Sequence, residues 1–116
     1  METINVVIAD ADQERRVSVI KLLFKNPDIE VSGEAESAEE CMSMVRDEHP
    51  DLLLLNVPLD EETGFDEIQD MVREISLDAP QTEIILITQE MEDLEQVRKL
   101  TRMGARDYIV RPIDED

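Results

Sequence analysis

A chain of 116 residues with 30 acidic and 11 basic side chains carries a formal charge of −19, which argues against direct binding to nucleic acid or to an anionic lipid surface. Its residues are 41% hydrophobic, enough for the core of one domain, but only 3% are aromatic, so Leu, Ile, Val and Met must build that core. Cys41 is the only cysteine, which excludes an internal disulfide and leads us to expect a reducing, cytoplasmic setting. The opening METINVVIAD lacks the basic start and long apolar run of a signal peptide, and no apolar run has the length to cross a bilayer, so no membrane insertion is expected.

INVVIA, residues 4–9, reads as a first strand. The helical segment ADQERRVSVIKLLFKN follows, with Val17, Ile20, Leu23 and Phe24 expected on its inner face, Asp12 as its cap and Pro27 just past its end. IEVSGEA is a weaker, alternating strand near an edge. SAEECMSMVRDE opens with the capping-box pair Ser37 and Glu40 and turns Ala38, Cys41 or Met42, and Val45 inward. Its follower His49 reads as a solvated loop residue.

DLLLLNV, residues 51–57, is apolar on both faces and therefore needs a layer on each side. The turn LDEETG leads into FDEIQDMVREI, with Phe65, Ile68, Met71, Val72 and Ile75 at helical spacing. TEIILIT is a fourth strand. MEDLEQVRKLTRM repeats Leu94, Val97, Leu100 and Met103, and Gly104 suits its C-cap. DYIV is a fifth strand, and RPIDED closes the chain. The alternation implies an α/β fold with a parallel sheet and helices on both faces. The last two strands want cover on both faces, yet no fifth helix remains in this segment. We therefore expect a single domain over residues 1–116 that forms the N-terminal part of a longer chain.

This order, with its strand-end residues, resembles the receiver domain of two-component response regulators. The resemblance implies a flavodoxin-like, doubly wound five-stranded sheet of order 2-1-3-4-5. In that family an acid pair after the first strand helps bind Mg²⁺, and an Asp ending the third strand takes the phosphoryl group. A Thr or Ser ends the fourth strand, and an aromatic residue and a Lys-Pro mark the fifth. The corresponding places here are Asp10 and Ala11, Asn56, Thr88, Tyr108, and Arg111 with Pro112, while Gly64 ends the turn after the third strand.

Three of these places depart from the family. Aspartyl phosphorylation needs a carboxylate nucleophile, and the amide of Asn56 offers none. Mg²⁺ is a hard ion that favours carboxylate oxygen, and Ala11 and Asn56 remove two of the expected ones, so Mg²⁺ binding is expected to be weak or absent. Arg111 replaces the Lys and is expected to pair with Asp10, across a candidate cis bond to Pro112. Gln89 is expected to fill the phosphoryl space against Asn56. No metal-ligand spacing, catalytic triad or Gly-rich phosphate loop is readable.

The resemblance thus implies a non-enzymatic pseudo-receiver acting through a protein partner or homodimer, without a cofactor. The candidate interface is the fourth helix with the fifth strand: Glu95, Arg98, Lys99, Arg102, Arg106 and Tyr108. Two alternatives stay open. One is a phosphorylatable switch using a non-standard site, such as Asp10 or a deamidated Asn56. The other is a regulatory or localisation domain fused to an output domain or to a MinD-like ATPase of pilus assembly.

Overall fold

The computed structural model describes residues 3–88 and 94–110. The elements are β1 (Ile4–Ala9), α1 (Gln13–Leu23), β2 (Ile29–Ala35), α2 (Ala38–Glu48), β3 (Leu52–Val57), α3 (Phe65–Asp78), β4 (Glu83–Thr88), α4 (Leu94–Met103) and β5 (Asp107–Val110). All strand pairs are parallel, in the order β2-β1-β3-β4-β5. This is the flavodoxin-like order.

The order dictates which helix covers which face. Right-handed crossovers carry the chain from β1 outward to β2, then back past β1 to β3, β4 and β5. The reversal puts α1 on one face and α2, α3 and α4 on the other. It also makes the β1–β3 seam the switch point, where the carboxyl ends of the strands splay apart.

Strand parity sorts the apolar side chains into two layers. Val7, Ala9, Leu53, Leu55, Val57, Ile84 and Leu86 pack with Cys41 and Val45 of α2, Ile68, Met71, Val72 and Ile75 of α3, and Val97 and Leu100 of α4. Val6, Ile8, Leu54 and Ile87 point the other way and meet Val19, Ile20 and Leu23 of α1. The two-sided pattern of β3 is thereby satisfied on both sides. Burial also pushes the Cys41 thiol up to about 12, in keeping with a small core side chain.

The second layer is incomplete among the described residues. Five strands span about 19 Å and a helix covers about 10 Å, so α1 alone shields roughly half of its face. Beside it an apolar groove of about 310 Å³ opens, lined by Val19, Leu22, Leu23, Leu52, Leu54, Ile85, Ile87 and Ile109, with Asp107 at its end.

The helix ends follow local chemistry. Asp12 caps α1, its Oδ1 accepting from the Arg15 N–H at 3.0 Å. Ser37 caps α2 by accepting from the Glu40 N–H at 3.2 Å, while Glu40 reaches back to the N–H of Glu36. His49 is exposed and ends α2 in the left-handed conformation, at φ 47°. Gly104 follows α4 at φ 143°, and a Cβ there would strike the hydroxyl of Ser76 on α3. Glycine therefore sets how closely α4 ends against α3.

One expectation for α1 is corrected. Val17 and Phe24 are exposed, at 38% and 71%. The inner stripe runs instead through Arg16, Val19, Ile20 and Leu23, one position around the helix. An arginine can enter that stripe because each of its three guanidinium nitrogens finds an oxygen acceptor.

Candidate functional site

Asp10 directly follows β1 and is 2% exposed. Its backbone N–H continues the β2 ladder by donating to the Ala35 carbonyl at 3.0 Å. Its side chain lies on the α1 side of the sheet by parity with Val6 and Ile8. Asn56, 2% exposed, stands in the same row on β3. Both line one small space with Ile8, Ala9, Arg15, Arg16, Val19, Leu54 and Ile87, and no water-sized particle fits between them.

Two arginines from the first turn of α1 close this space. Helical side chains lean toward the N-terminus, so Arg15 reaches back over its own cap to Asp10. Its Nε donates to Oδ2 and its Nη2 to Oδ1, each at 2.8 Å, a forked pair. The hydrogen bond to Asp10 raises the Arg15 pKa still further above its usual high value. Asp10 Oδ1 also accepts from the Asp12 N–H at 3.0 Å. Arg16 is buried; its Nη1 donates to the Asp10 carbonyl at 2.7 Å, and its Nε and Nη2 donate to Glu34 and Glu36 at 3.1 Å.

On β3, Nδ2 of Asn56 donates to the Pro58 carbonyl at 2.8 Å, folding the amide against its own strand end. The loop behind it is drawn in by the Ala11 N–H, which donates to the Leu59 carbonyl at 3.0 Å. The cis peptide bond of the described residues is Val57–Pro58.

Thr88 ends β4 opposite Val57 and is fully buried. Asp10, Ala11, Asn56 and Thr88 thus stand at the carboxyl ends of β1, β3 and β4, side by side in the sheet. Tyr108 is on the edge strand β5 beside Leu86, 38% exposed. Glu95, Arg98, Lys99 and Arg102 on α4, and Arg106 before β5, are all exposed. Gln89, Arg111 and Pro112, with the expected Arg111–Asp10 pair and Arg111–Pro112 bond, lie outside the described residues.

The residues do not fit a hard divalent cation. Arg15 bonds both carboxylate oxygens of Asp10, the Ala11 side chain has no ligand atom, and Asn56 turns a nitrogen donor onto the nearby carbonyl. Among the described residues, no group of three or more His, Cys, Asp or Glu could hold a metal ion.

A sequence model of the response regulator receiver domain matches residues 6–116. The chain belongs to that family. This receiver domain is 30% identical over 109 residues to the response regulator protein VraR of Staphylococcus aureus (strain NCTC 8325 / PS 47), covering 94% of this chain and 50% of VraR. It is also 30% identical over 112 residues to protein-glutamate methylesterase/protein-glutamine glutaminase 3 of Geobacter sulfurreducens, covering 97% of this chain and 29% of that protein. The chain therefore spans half the length of VraR.

Solved receiver domains share the fold. The signal receiver domain of NarL from Mycobacterium tuberculosis matches with a TM-score of 0.81 at 20% identity, over 99% of this chain and 89% of that one. A LuxR-family two-component response regulator from Aurantimonas sp. SI85-9A1 matches with a TM-score of 0.83 at 21% identity, over 98% and 78%.

Sequence reasoning missed Arg15 and Arg16 as parts of this site. Their signal was present: two arginines in the first turn of a helix that follows an acid-ended strand. A guanidinium there has both the reach and the partner.

Proposed function

We propose that this receiver domain is a pseudo-receiver, a signalling module that works by binding a protein and not by aspartyl phosphorylation. The observation that carries the reading is Asn56. At the end of β3 it presents an amide whose nitrogen is bonded to the Pro58 carbonyl, and an amide has no oxygen nucleophile for phosphoryl transfer. Asp10, the strand-end acid of the pocket, is held by Arg15 and is a poor substitute nucleophile.

The binding surface assigned to the module is α4 with β5. Glu95, Arg98, Lys99, Arg102, Arg106 and Tyr108 are exposed there. The ion pairs found among the described residues involve Arg15, Arg16, Arg46 and Arg73 and none of these side chains. On a chain of charge −19 they form a local cationic surface for an acidic partner or for an acidic face of a second copy.

The test is incubation with acetyl phosphate and Mg²⁺, read by intact-protein mass and two-dimensional amide NMR, followed by beryllofluoride as a phosphoryl mimic. The expected result is an unchanged mass and unchanged spectra. A phosphoryl adduct, or saturable shifts at Asp10, Asn56 and Thr88, would sink the reading.

A second reading is a module acting within a longer chain on an attached output or ATPase domain. It is supported by the share of relatives that is matched, 50% of VraR and 29% of the methylesterase.

A further inference from the structure

We infer that Arg15 is the built-in cation of this pocket, its guanidinium occupying the place where a divalent metal ion would balance the strand-end acid. The inference deepens the pseudo-receiver reading and rests on it, because a pocket run by metal and phosphate would require Arg15 to leave.

The geometry supplies the argument. A cation at the end of β1 must meet the Asp10 carboxylate, and Arg15 meets it with two parallel bonds of 2.8 Å. Two backbone oxygens beside it are also engaged. The Asp10 carbonyl accepts from Arg16, and the Pro58 carbonyl accepts from Asn56. The space that Asp10, Arg15, Arg16 and Asn56 share with Ile8, Val19, Leu54 and Ile87 on the α1 side of the sheet has no room for a water, and a hydrated Mg²⁺ needs several.

Arg15 is anchored by the same turn that Asp12 caps, so the cation comes with the fold and not from solution. Its side chain is 28% exposed against 2% for Asp10, so the charge is inserted from the rim onto a buried acid. Guanidinium stays protonated at every physiological pH. Metal occupancy depends on concentration, whereas this compensation is constant. Arg16 has a different part: it ties the end of β1, at the Asp10 carbonyl, to Glu34 and Glu36 at the end of β2.

The test restores the missing carboxylates and then removes the cation. Mg²⁺ affinity is measured by titration, following amide shifts, in Ala11→Asp/Asn56→Asp and in the same variant carrying Arg15→Ala. If Arg15 holds the cation place, removing it raises Mg²⁺ affinity by about fivefold or more, since the ion no longer competes with a forked ion pair. A smaller gain overturns the inference, and so does failure of both variants to bind Mg²⁺, because the pocket would then not be a cation place. Arg15→Gln, which keeps bulk and donors but not charge, replaces Arg15→Ala if that chain does not fold, under the same criterion. Arg15 serving only as a structural clamp would change stability and leave the affinity alone. Mg²⁺ binding by the unaltered protein is a separate result: it defeats the pseudo-receiver reading, while the paired variants still judge Arg15.

Discussion

Asp60 sets the shape of the loop that runs from β3 toward α3. Its Oδ1 accepts the N–H groups of Glu62 at 3.0 Å and Thr63 at 2.6 Å, an Asx-type turn. The Thr63 hydroxyl, ahead of those backbone bonds, holds the Asp60 carboxyl below the usual aspartate value. A folded-state pKa below the unfolded one contributes stability that is fully present above the unfolded pKa. That contribution is lost as pH falls through the folded pKa. We expect the Asp60 carboxyl to titrate, by carbon NMR, below an aspartate in an unstructured peptide, and Asp60→Ala to flatten the acid limb of stability against pH. A midpoint at or above that of the unstructured peptide would contradict the turn. At this scale the sequence was readable where a residue acts on its own neighbours. Asp12 and Ser37 cap as their type and position require. The two bonds of Arg16 to Glu34 and Glu36 were not readable, because those acceptors stand at the end of β2, while the Arg15–Asp10 pair is local and its signal was overlooked.

Among the elements, α1 departs furthest from its pattern and β4 follows its pattern most closely. The apolar residues of α1 alone point to a stripe through Val17 and Phe24, but a satisfied Arg16 rotates the helix by one position. In β4 the apolar positions alternate as the pattern requires: Ile84 and Leu86 on the α3–α4 side, Ile85 and Ile87 on the α1 side beside the groove. The two faces differ in depth, and mutation should report it. Leu86 is fully buried, so Leu86→Ala should cost about 2–5 kcal/mol by lost transfer energy and a residual cavity. Ile109, 39% exposed on β5 beside the groove, has less to lose, and Ile109→Gln should cost about 1 kcal/mol or less. Chemical denaturation of both variants checks the pair. Equal losses would mean that the groove side of the sheet is covered as completely as the other.

For the whole molecule, a charge of −19 on 116 residues makes self-repulsion a folding term. Raising salt from about 0.01 M to about 0.15 M shortens the screening length from about 30 Å to about 8 Å, so Tm should rise. A Tm that falls over that range would mean that attractive pairs outweigh the repulsion. Among the described residues no helix is long and apolar enough to cross a membrane. The sequence alone determined the alternation of elements, the two-sided character of β3 and β4, and the amide, in place of a carboxylate, that Asn56 brings to the end of β3. Those follow from periodicity and residue type, which are local properties. The tertiary structure alone decided which face each helix covers, that α1 turns an arginine inward, and that Arg16 ties the ends of β1 and β2 together. These depend on the reversal of chain direction at the β1–β3 seam, which brings a helix start and separate strand ends within hydrogen-bonding reach, and no window of sequence contains that distance.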